Sequence, residues 1–161
     1  MSRIAFVVFA GSFLIGCAGA GAADLDPIRP TASVNPIDDQ LEQMAVEFRQ
    51  LRAVPGHFGG GTWNDDVDRW MGRKHALMIE LASRLIGGAY DKNTIVQLLD
   101  PPDQIARESD DLFDLIGSQP GYGESDSVEY LIYYWRGTHD FLFFVCRDGA
   151  VVGADWWYAG D

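Results

Sequence analysis

Basic residues are scarce in this chain: 12 Lys plus Arg stand against 24 Asp plus Glu, a formal net charge of −12 over 161 residues. Neutralising a phosphate backbone needs clustered Lys and Arg, so this balance speaks against a nucleic-acid binder. It speaks equally against a polybasic membrane-surface protein. Cysteine is scarcer still. Two cysteines cannot build a disulfide scaffold, so the fold must rest on a packed core. No apolar run reaches the ~20 residues of a spanning helix. The histidines are His57, His75 and His139, and no pair of them has metal-ligand spacing. There is no Gly-x-Ser-x-Gly nucleophile elbow. Gly59-Gly60-Gly61 lacks the strand and the Lys-Ser/Thr of a phosphate loop and reads as a hinge. The sequence therefore calls for no metal or other cofactor. What remains is 47% hydrophobic and 22% charged residues, an ordinary globular composition. The length allows one domain.

The N-terminus carries an address. Arg3 precedes an apolar run from Ile4 to Gly16, the length of a signal-peptide h-region. The run ends in Leu14-Ile15-Gly16-Cys17, which resembles the lipobox of bacterial lipoproteins. That resemblance implies removal of residues 1–16 and lipidation of Cys17. Ordinary secretory cleavage at the A-x-A sites Ala18-Gly19-Ala20 or Ala20-Gly21-Ala22 is the competing reading. Ala18 after the cysteine resembles lipoproteins sent on to an outer membrane, facing the periplasm. Residues 17–36, with Pro27, Pro30 and Pro36 as breakers, read as the lipidated cysteine and a flexible tether. Residues 37–161 then form a single α+β domain. Cys146, left alone in an apolar run, reads as a buried inert thiol.

Within that domain the period changes from helical to extended. Asp38 or Asp39 can cap a helix whose stripe is Leu41, Met44, Ala45, Phe48 and Leu51, stopped by Pro55-Gly56. Thr62 with Asp65 resembles a capping box before a long helix from Thr62 to Ile86, apolar at Val67, Trp70, Met71, Leu77, Met78, Leu81 and Leu85. A short helix from Asp91 or Thr94 faces Ile95, Val96, Leu98 and Leu99 inward and ends at Pro101-Pro102. Leu112, Phe113, Leu115 and Ile116 suggest a further turn or two. Val128 to Trp135, His139 to Cys146 and Val151 to Tyr158 are β-branched and aromatic runs separated by turn signals. Asp148-Gly149 is a type I′ hairpin turn. The expected architecture is N-terminal helices packed on a three-stranded antiparallel meander, in two layers. Aromatics fall on both alternation phases, so either helices cover both sheet faces or one face meets a ligand or partner.

Thr94-Ile95-Val96-Gln97-Leu98-Leu99-Asp100-Pro101-Pro102-Asp103 is similar to the short helix ending in Leu-Gly-x-Pro-Asp of the SmpA/OmlA (BamE-like) domain. That family continues into Tyr-rich strands with an Asp-x-Gly hairpin, here Arg147-Asp148-Gly149-Ala150. The resemblance spans mainly residues 91–158, and family members are typically lipoproteins. It implies an α+β binding module and a link to outer-membrane assembly. Asp100 stands where the family has Gly.

Candidate chemistry is sparse. Asn64-x-Asp66-x-Asp68 mimics the start of a calcium loop, yet Arg69 and His75 stand at its sixth and twelfth positions, where Gly and Glu belong. The histidines read as helix-surface or capping residues. Asp140, Asp155 and His139 could serve an extracytoplasmic hydrolase acting on cell-envelope carbohydrate. The favoured reading is not an enzyme. It is a lipid-anchored binding or scaffold module of the cell envelope, meeting a protein partner or glycan through the sheet surface of Tyr133, Tyr134, Trp156 and Trp157, where aromatic residues make interface hot spots.

Overall fold

The computed structural model describes residues 37–118 and 127–160; the leader, Cys17 and the tether lie outside the described residues. Asp38 caps helix α1 (Asp39–Arg52), its carboxylate accepting from the Leu41 N–H at 2.7 Å. The expected stripe is buried at Leu41, Met44, Ala45 and Phe48. A short 3-10 turn, His57–Gly59, follows Gly56.

The long helix expected from Thr62 to Ile86 is instead two helices. Helix α2 (Asp65–Asp68) is capped by the Asn64 side chain, not by Thr62, and helix α3 spans Arg73–Gly87. Met71 breaks the run with a positive φ of 59°. Gly72 lies so close to α2 that a Cβ there would stand 2.4 Å from the Asp65 carbonyl oxygen. Periodicity alone could not register this short break, Arg69 to Gly72, inside an apolar stripe.

Helix α4 (Lys92–Leu99) starts at an Asp91 cap and buries Ile95, Leu98 and Leu99. Arg49 and Arg52 of α1 reach across to the Leu98 and Leu99 carbonyls, satisfying acceptors that the helix end leaves open. Strand β1 (Gln104–Ala106) and helix α5 (Asp111–Gly117) precede β2 (Val128–Arg136), β3 (Asp140–Arg147) and β4 (Ala150–Tyr158). Asp148 and Gly149 both have positive φ, as a type I′ turn requires.

The fold is α+β, but the sheet has four antiparallel strands in the order β1-β2-β3-β4, not three. Three-residue β1 pairs Ile105 with Leu131 at the sheet edge, too short for an alternation signal to show. Helices α1, α3 and α4 bury one sheet face through Leu131, Tyr133, Trp135, Leu142, Phe144 and Cys146. The opposite face gathers Tyr130, Ile132, Phe141, Phe143 and Val145 with Ile116 of α5. Helices are thus not all N-terminal to the sheet, nor confined to one of its faces. Among the described residues, no helix is long and apolar enough to cross a membrane.

Candidate functional site at the aromatic end of the sheet

The residues expected to form one binding face do not share one. Tyr133 is fully buried, its Oη donating to the Asp100 carbonyl at 3.0 Å. It is a core residue and unavailable to a partner. Trp156 pairs with Leu142 on the helix-covered face, whereas Tyr134 and Trp157 pair with Phe141 on the other. Trp157 stacks on Phe141 with rings 15° apart. The three residues considered for hydrolysis do not converge either. Asp140 is opposite Tyr158 and Asp155 opposite Phe143, three positions along β3 and therefore on opposite faces. Asp140 is committed to the Arg136 guanidinium at 2.7 Å and to the Ala159 N–H at 3.1 Å. His139 is exposed in the β2–β3 turn.

The structure gathers its exposed aromatic surface elsewhere, on the segment from Gly56 to Gly72. Trp63 and Trp70 are each 54% exposed and Met71 56%, with Phe58 also open to solvent. Asp68 organises the loop from beneath: its Oδ2 accepts the His57 N–H at 3.0 Å and the Asn64 N–H at 2.8 Å. The Asn64-x-Asp66-x-Asp68 pattern is accounted for by this clamp and by the Asn64 cap. Among the described residues, no group of three His, Cys, Asp or Glu side chains is placed to hold a metal ion.

Ring contacts run from this loop across the end of the sheet. Trp63 and Phe58 are 6.5 Å apart, and the Arg136 guanidinium lies between Phe58 at 5.1 Å and Trp135 at 4.3 Å. Trp70 then meets Trp135 and Tyr158, and Tyr158 stacks on Trp156 with the rings 3° apart. His75 is at the centre, not on the helix surface where it was expected. Trp135 stacks on it at 4.2 Å, and Trp70 and Trp156 close two further sides. The Met71 N–H donates to His75 Nδ1 at 3.2 Å, which assigns the proton to Nε2, 3.1 Å from Tyr158 Oη. Burial pushes the imidazole down to about 4, with Arg136 adding to the shift and Asp140 opposing it. His75 is neutral at pH 7, and its bond to the Met71 amide holds the left-handed turn that presents Trp70 and Met71 outward.

Next to this aromatic end is a cleft of about 380 Å³ between the end of α1, the start of the loop, α2 and β2. Lys74 and Asp68 line it and both are buried. Burial lowers the Lys74 ammonium to about 8, against the raising influence of Asp103 and Asp68. Nothing in the sequence marks Lys74, since a charged residue in a helical segment reads as solvated, and Asp68 is marked only as part of the calcium-like pattern. The one available signal was the density of Trp and Phe within an apparently polar loop. On the core side, burial raises the Cys146 thiol to about 11, in keeping with an unreactive cysteine. In comparison with known proteins, the chain matches no protein-family model, no curated protein and no solved structure.

Proposed function

We propose that this chain is a lipid-anchored extracytoplasmic binding module of the cell envelope, attached through Cys17, with the aromatic end of its sheet as the contact surface. The observation that carries the binding role is the loop itself. Phe58, Trp63, Trp70 and Met71 are all exposed within one short segment, held in place by Asp68 and His75. Large rings kept in water by a rigid backbone are the usual makings of an interface anchor. The SmpA/OmlA resemblance supports the envelope setting and a tie to outer-membrane assembly. It supports no particular partner.

Two variants of the full chain test this reading separately. Cys17→Ala should abolish acyl labelling and release the protein from membranes; a variant that stays membrane-bound overturns the anchor. Trp63→Ala combined with Trp70→Ala should still unfold cooperatively, at a lower melting temperature because Trp70 also packs on His75, Trp135 and Tyr158. It should also abolish retention of the material, protein or glycan, that the parent captures from solubilised envelopes. Undiminished capture would overturn the contact surface.

A further inference from the structure

The cleft beside the aromatic loop contains two buried groups of opposite charge that do not satisfy one another. Asp68 is 1% exposed, and although its Oδ2 is taken by two backbone N–H groups, Oδ1 has no hydrogen-bond partner among the described residues. Oδ1 lies against Gly56, another lining residue, where an added Cβ would stand 2.3 Å away. Lys74 is 6% exposed; its ammonium donates to the Trp135 carbonyl at 2.6 Å and forms no ion pair among the described residues. That uses one of three N–H donors.

The neighbouring cations are already neutralised. Arg52 pairs with Asp103 at 2.7 Å and Arg136 with Asp140 at 2.7 Å. Two of the cleft's lining residues therefore bring a buried carboxylate with one unpartnered oxygen and an ammonium with unused donors. An anionic ligand satisfies Lys74 but meets the Asp68 carboxylate. A cationic one satisfies Asp68 but meets the Lys74 ammonium. A hydroxyl meets both demands without charge, its O–H donating to Asp68 and its oxygen accepting from Lys74. Trp135 and Tyr134 are the aromatic residues of the cleft lining, and exposed Phe58 lies just outside it, its ring over the Arg136 guanidinium of the wall.

We infer that the cleft binds a neutral sugar, with a hydroxyl or vicinal hydroxyl pair bridging Asp68 and Lys74 and the exposed aromatic loop stacking on the rest of the ligand. This rests on the binding-module reading and names its ligand class. A volume of about 380 Å³ lies at the small end of ligand sites, ~300–1,000 Å³, and suits one sugar ring.

Saturation-transfer NMR on the purified full chain in detergent tests it, with glucose, galactose, N-acetylglucosamine, inorganic phosphate and glycine as separate probes. At least one neutral sugar should receive saturation, while phosphate and glycine should not. Lys74→Met keeps most of the buried stem and removes the donors. Asp68→Asn keeps an oxygen for the two loop amides and turns the open acceptor into a donor. Each should weaken sugar binding about ten-fold or more, with amide spectra showing the fold retained. The inference is overturned if no sugar binds, if phosphate or glycine binds instead, or if both variants bind sugar as the parent does. If capture by the parent still depends on Trp63 and Trp70 while no sugar binds, the ligand class is wrong and the binding module stands. If capture and sugar binding both fail, both are wrong.

Discussion

At the scale of single residues, His75 shows how surroundings set charge. Enclosed by three indoles, it has a folded-state pKa of about 4 against an ordinary 6.5. Between those values the unfolded chain binds a proton that the folded chain does not. His75 therefore contributes its full share of stability above about pH 6.5 and loses it as pH falls towards 4, a difference of roughly 3 kcal/mol. NMR titration should find the imidazole neutral at pH 5, and urea denaturation should find the domain weaker at pH 5 than at pH 7. A ring titrating near 6.5 would contradict the cage. Asp100 makes the opposite case, a residue at odds with its backbone. It ends α4 at φ 64° and ψ 169°, outside the left-handed helical region and inside one that is essentially reserved for glycine. Its carboxylate has only a 4.0 Å contact with Arg49 to offset this. Asp100→Gly should gain about 1 kcal/mol, since relief of ~1–3 kcal/mol of strain exceeds a surface ion pair worth ~0–1 kcal/mol. Thermal melts measure this directly, and a less stable variant would refute it.

At the scale of elements, the loop between α1 and α3 is stabilised by one carboxylate in the absence of any long regular structure. The His57 and Asn64 amides converge on Asp68, and the Asp68 carbonyl also lies 3.4 Å from the Arg136 guanidinium. Gly56 is needed for space, not for its dihedrals: its φ is −76°, but a Cβ would strike Asp68. Gly56→Ala should cost about 1–3 kcal/mol by overpacking. It should also speed hydrogen exchange at the His57 and Asn64 amides well beyond the change elsewhere. Equal effects across the domain would mean that the clamp is not local. Helix α4 has a different support. At 8 residues it is too short to persist by propensity, and it is held by Leu98, Leu99 and the two α1 arginines at its C-terminus.

At the scale of the whole molecule, the four-stranded sheet distributes stability unevenly. Every β3 residue except Arg147 is buried, and β3 pairs along its length with both β2 and β4. Edge strand β4 is half exposed throughout and is bulged where Cys146 meets Val151. Native-state hydrogen exchange should accordingly find β3 and the facing amides of β2 exchanging only through global unfolding. The outward amides of β4 and the amides of the aromatic loop should open locally at lower cost. Uniform protection over all four strands would contradict this ranking. The separation has functional weight, because the proposed contact surface is on the loop and the end of β4 while the inner strands hold the scaffold.

Local chemistry alone determined a good deal of this protein. The Asp38 and Asp91 caps, the α1 stripe, the end of α4 before Pro101, the Asp148-Gly149 turn and the α+β class all follow from interactions within a few residues, and those are written in order along the chain. The break at Met71, the three-residue strand β1 and the helix on the second face are different. Each depends on a partner far away in sequence: Trp135 and Tyr158 at the sheet end for the first, Leu131 for the second, Tyr130 and Phe143 for the third. The candidate site was least legible of all. Tyr133 and Trp63 are equally aromatic in a sequence, yet one is a core residue and the other stands in water. Only packing decides which ring is buried, which lysine loses its solvent and which carboxylate is left with an unpaired oxygen.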